Sequence, residues 1–163
     1  MKRILFTLIL LTSLHADLGR EIAQKVDSLV GKKINIKSSE LIQNIYRSFG
    51  YTIPKKAKNQ LNKKNCKVIL YLDKIKLGDA LYFATDYGDI HNSAIVTGFN
   101  RYGRPIITYV NNKNQVIKEK MSDKYIYEFI GAQRFYSCNN KTVIEKNKMD
   151  IKVVGKLKPI ILK

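Results

Sequence analysis

Ser38-Ser39-Glu40-Leu41-Ile42-Gln43-Asn44-Ile45-Tyr46-Arg47-Ser48-Phe49-Gly50, continued by Tyr51-Thr52-Ile53-Pro54, is the stretch whose reading decides the fold. Leu41, Ile42, Ile45, Tyr46 and Phe49 recur on one face of a 3.6-residue period, which predicts a helix pressed onto a core. The serine pair suits the N-cap, where a hydroxyl accepts an otherwise unpaired first-turn N–H. Gly50 stands where a left-handed C′ residue is wanted, and Pro54 forbids continuation. A helix N-terminus carries partial positive charge, so it is also a place where a nucleophile is activated. A cysteine there would be a strong catalytic signal; this chain has Ser38.

Upstream, Leu18, Ile22, Val26, Leu29 and Val30 mark a second helical face, and Gly31 ends it beside Lys32-Lys33. Downstream the periodicity changes. Val68–Leu72, Ala80–Ala84, Ser93–Thr97, Pro105–Val110, Gln115–Ile117 and Phe129–Tyr136 read as strands, separated by turn-rich segments such as Phe99–Arg104 and Asn111–Asn114. Helices first and then a meander of strands predict an α+β domain, with N-terminal helices packed on an antiparallel β-sheet.

The 163 residues suffice for one domain. Residues 1–16 read as a signal peptide: Lys2-Arg3, then apolar Ile4–Leu11, then a short run to Ala16. A domain over 17–138 and a basic C-terminal extension over 139–163 follow. No transmembrane segment is expected after signal removal, which predicts a secreted, periplasmic protein. The formal charge of +17 makes acidic envelope surfaces natural partners, and nucleic acid is not expected. Cys66 and Cys138 fit no metal or redox spacing, leaving either one disulfide or two structural thiols. With two histidines and no phosphate-cradling glycine loop, neither a metal nor a cofactor is expected.

The order of parts resembles the NlpC-type cell-wall cysteine peptidases, bacterial papain-like domains that cut peptidoglycan stem peptides. Lys37-Ser38-Ser39-Glu40 stands where that family opens its helix with Asp-Cys-Ser-Gly, and Ile53-Pro54-Lys55 where it has a Leu-Pro-Arg-like segment. Leu77-Gly78-Asp79-Ala80-Leu81-Tyr82-Phe83 is similar to its Pro-Gly-Asp-Leu-Val-Phe-Phe strand. Ala94-Ile95-Val96-Thr97-Gly98 resembles Gly-Ile-Val-x-Gly, and Phe129–Arg134 its closing strand. The resemblance implies a papain-like NlpC-type fold over roughly residues 20–136 and a catalytic cysteine, histidine and third polar residue. Carried over by position, these fall on Ser38, Asn92 (counting back from Gly98) and Tyr109 (counting from Val116).

All three positions are altered. A serine hydroxyl needs an imidazole to take its proton, and Asn92 cannot do so at neutral pH. Losing a nucleophile–base unit removes on the order of 10⁶ in rate. His91 is the substitute base, provided a bulge turns it toward the site, since neighbours on a strand face opposite ways. Cys66 is the alternative nucleophile, although nothing near it reads as a helix start. The expectation is therefore an inactive peptidase homologue that binds peptidoglycan stem peptides or an envelope protein. An active endopeptidase using Ser38 with His91, and a basic envelope module with a vestigial groove, are the alternatives.

Overall fold

The computed structural model describes residues 18–138 apart from 64, 65, 67, 86 and 87, so the predicted signal peptide and C-terminal extension lie outside the described residues. Helix α1 covers residues 18–27 and buries Ile22 and Val26 completely. The chain then turns at Gly31, whose φ of +86° is a left-handed value suited to glycine.

Helix α2 (Ser38–Ser48) buries Leu41, Ile42, Ile45 and Tyr46, the face that the period predicts. Its C-terminus closes as a Schellman motif: Gly50 N–H donates to Arg47 O at 3.0 Å and Tyr51 N–H to Tyr46 O at 3.0 Å, with Gly50 at φ +83°. Its N-terminus differs from expectation. The N-cap is Lys37 and no side chain caps the helix; Ser38 is the first helical residue, and its hydroxyl is engaged elsewhere.

Helix α3 (Ala57–Leu61) leads to a six-stranded sheet of β1 (Val68–Ile69), β2 (Ala80–Ala84), β3 (Ile90–Phe99), β4 (Pro105–Val110), β5 (Val116–Lys120) and β6 (Phe129–Gln133). The order across the sheet is β1-β6-β2-β3-β4-β5, antiparallel throughout. Three boundaries differ from the sequence reading. The Val68–Leu72 run holds only two ladder residues before a 3₁₀ turn at Leu72–Lys74, β6 gives way to a 3₁₀ turn at Phe135–Ser137, and β3 begins earlier than its apolar run. A helix absent from that reading, α4 (Asp123–Glu128), is capped by Ser122, whose hydroxyl accepts from Tyr125 N–H.

The sheet separates two apolar clusters. Ala80, Tyr82, Ile95, Val110 and Val116 pack with α1 and α2. Leu81, Phe83, Ala94, Val96, Ile107 and Tyr109 form the other face, with Met121 and Tyr125 and Ile126 of α4. The alternation along β2, β3 and β4 is the period of two that a strand requires.

At the Leu77–Gly78 turn, α1 meets the sheet backbone to backbone. A Cβ on Gly78 (φ +79°) would lie 2.8 Å from Gly19 O, so this contact needs glycine. Tyr46 donates its hydroxyl to Gly78 O and Tyr136 donates to Leu77 O. Beside the turn, fully buried Asp79 receives Arg134 Nε and Nη2, each at 2.8 Å, and Lys76 N–H at 2.8 Å. Burial pushes the Asp79 carboxyl above the ordinary range despite these donors.

Candidate functional site

Ser38 sits at the start of α2 against the end of β4. Ladder pairing of β3 with β4 stops at Ile95–Thr108, and the Val110 backbone takes Ser38 as its partner. Ser38 Oγ accepts from Val110 N–H at 3.0 Å and donates to Val110 O at 3.2 Å. The hydroxyl thus satisfies a strand end that would otherwise bury unpaired polar groups. Its single proton is committed to a carbonyl, a poor starting point for a nucleophile.

Asn92 and Tyr109 do not converge on Ser38. Ladder pairing from Ala80–Ile95 to Phe83–Asn92 is regular, so Asn92 shares the face of Ala94 and Val96, opposite α2. Tyr109 lies on that same face with Ile107. The two are linked there through Tyr125 of α4: Asn92 Nδ2 donates to Tyr125 Oη at 2.9 Å, and the Tyr109 and Tyr125 rings pack edge to face at 5.6 Å. Tyr109 donates its hydroxyl to Glu119 at 2.8 Å. Burial first, and then the neighbouring Tyr125 and Glu119, hold the Tyr109 phenol far above its ordinary pKa.

The count along the motif goes astray at a bulge. Between Val96 and Gly98 the β3–β4 register shifts by one residue, and one residue reverses the face that a count from Gly98 predicts. The residues that do face α2 at this end are Ser93, paired with Tyr82, and Thr108, paired with Ile95. Ser93 is buried, and Thr108 bonds Thr97 hydroxyl to hydroxyl at 2.9 Å. Alternation counted from Ile95 rather than Gly98 would have found Ser93, whereas Thr108 needs the β3–β4 register.

His91 is the extra residue of a second bulge, because Phe83 pairs with Asn92 while Ala84 pairs with Ile90. A bulge is present there, as the rescue of a base requires, but it delivers His91 to α4. Its Nε2 lies 3.2 Å from Glu128 Oε2, and no hydrogen bond joins it to Ser38. Cys66 and Cys138 form a disulfide across 72 residues, so neither offers a free thiol. Among the described residues no group of three or more His, Cys, Asp or Glu is placed to hold a metal ion, and no helix is long and apolar enough to cross a membrane.

The chain matches no protein-family model and no curated protein sequence. Solved structures do share its architecture, and they define it as an NlpC-type, papain-like α+β fold. One is a lipoprotein-like protein of the NLP/P60 family from Staphylococcus aureus: 18% identity, TM-score 0.55, covering 73% of this chain and 41% of that one. Another is NlpC1 from Trichomonas vaginalis: 22% identity, TM-score 0.56, covering 72% of this chain and 44% of that one. The chain spans less than half the length of either.

Proposed function

We propose that this chain is a secreted, periplasmic envelope protein that keeps the NlpC-type fold without its peptidase chemistry. The region around the start of α2 then serves to bind peptidoglycan stem peptides or an envelope partner. The observation that carries the reading is the state of Ser38: a buried hydroxyl bonded both ways to Val110, with His91, the one histidine among the described residues, lying beside Glu128 and not bonded to Ser38. Acyl transfer needs a nucleophile within hydrogen-bond reach of a base. Here the hydroxyl is committed to the backbone, and the imidazole lies beside a carboxylate on α4 and makes no hydrogen bond to Ser38. Similarity of fold supports a peptidase ancestor, while the site residues argue against catalysis.

The test is digestion of purified peptidoglycan, with mass spectrometry of released muropeptides, paired with a sacculus pull-down. The reading expects no new peptide ends and retention of the protein on the sacculus. New ends that disappear in Ser38→Ala and in His91→Ala would replace it with the active endopeptidase.

A further inference from the structure

The end of the sheet at which β3 passes into β4 carries a group of exposed side chains remote in sequence from the Ser38 site. Tyr102, at the hairpin tip, is 76% exposed and Phe99 39%. The Arg101 guanidinium stacks over the Tyr102 ring at 4.6 Å, so cation and aromatic are presented together. Lys120, paired with Ile106 at the base of the hairpin, is exposed as well. The tip is built firmly: Asn100 Oδ1 accepts from both Tyr102 N–H and Arg104 N–H at 2.9 Å, and Gly103 takes the left-handed turn position at φ +77°. Arg104 is held by Asp123 at 2.7 Å.

The same end of the sheet is where the described chain enters and leaves. Gly78 N–H donates to Val96 O, three residues before Phe99. Gly19 and Tyr136 both meet the chain at Leu77–Gly78. The sequence after it, residues 139–163, holds seven lysines.

We infer that this pole is a membrane-contact surface for anionic phospholipid, with Tyr102 and Phe99 seated among the headgroups and Arg101 and Lys120 facing the phosphates. Amphipathic aromatics settle at the level of the headgroups, and each cation adjacent to an anionic leaflet strengthens binding by about fivefold. The formal charge that remains once Lys2 and Arg3 leave with the predicted signal peptide, +15 (17 − 2), supplies the complementary field. The inference stands whether or not the Ser38 region binds peptides.

The chain contains no tryptophan, so Tyr102→Trp in the full chain is a clean reporter. Its emission is expected to shift to the blue with vesicles of phosphatidylglycerol and phosphatidylethanolamine, not with phosphatidylcholine alone, and to return in high salt. Tyr127→Trp, on exposed α4, is expected to stay unshifted. Arg101→Ser/Tyr102→Ser, with residues 139–163 intact, should co-sediment with the anionic vesicles at least about fivefold less well. Undiminished co-sedimentation of that variant would assign binding elsewhere and overturn the inference. So would an equal shift from Tyr127→Trp, or a Tyr102→Trp shift produced by glycan strands and not by vesicles.

Discussion

Replacing Cys66 and Cys138 together by serine should destabilise the domain by about 4 kcal/mol, because the bridge closes a loop spanning 72 residues and chain entropy scales with the logarithm of that length. Every described strand lies inside the loop, so the constraint acts on the unfolded ensemble of that sheet. For a domain of this size each kcal/mol moves Tm by roughly 3–5 °C, giving a fall of about 12–20 °C. The assay is urea unfolding of three samples: oxidised wild type, wild type reduced with dithiothreitol, and the double variant. Reduced wild type and the variant should agree within about 1 kcal/mol, and both should have steeper m-values than the oxidised protein, since an uncrosslinked chain exposes more surface. A loss under about 1 kcal/mol with an unchanged m-value would refute the loop-entropy reasoning and locate the stability in local contacts.

Arg134→Met leaves Asp79 as a buried unpaired carboxylate and should cost about 3–5 kcal/mol at pH 7, with Asp79→Leu/Arg134→Met recovering much of it. Burial already raises the Asp79 pKa, and loss of the guanidinium raises it further. The native state of the variant therefore binds more protons than the unfolded chain, so its deficit shrinks as pH falls toward about 4; chemical denaturation at several pH values reads this directly. Gly78→Ala forces a Cβ to within 2.9 Å of Gly19 Cα at a positive φ and should lower stability by more than about 2 kcal/mol, measured by thermal melting. Ser38→Ala removes the partner of both Val110 backbone groups and should cost about 1–3 kcal/mol. Ser38→Cys should release no muropeptides, because His91 faces Glu128 of α4 and not that position.

Helix α2 was fully legible because its apolar face, left-handed glycine and proline stop agree with one another. Its first residue was not: a serine beside a helix start reads as a cap, and only the end of β4 reveals that its hydroxyl is wanted there. The strands were legible as apolar runs, but the register of the candidate site was not. The shifts near Gly98 and His91 each move the count by one residue, and a period of two turns one residue into the opposite face. That is why Asn92 and Tyr109 meet Tyr125 while Ser93 and Thr108 face α2. Helix α4 escaped because six residues rich in tyrosine carry too few turns to show a period. The disulfide was one of two open readings, since spacing alone cannot place Cys66 next to Cys138.

The meeting of Gly19 and Tyr136 at the Leu77–Gly78 turn makes the domain a closed circuit in space, which frees its linear order from its architecture. A chain reopened in the exposed Asn111–Asn114 turn, with a short flexible linker joining residue 138 to residue 18, asks for no new contact and breaks none in the core. The same geometry lets the whole unit be spliced into a surface loop of another protein as a cassette, entering and leaving through one doorway.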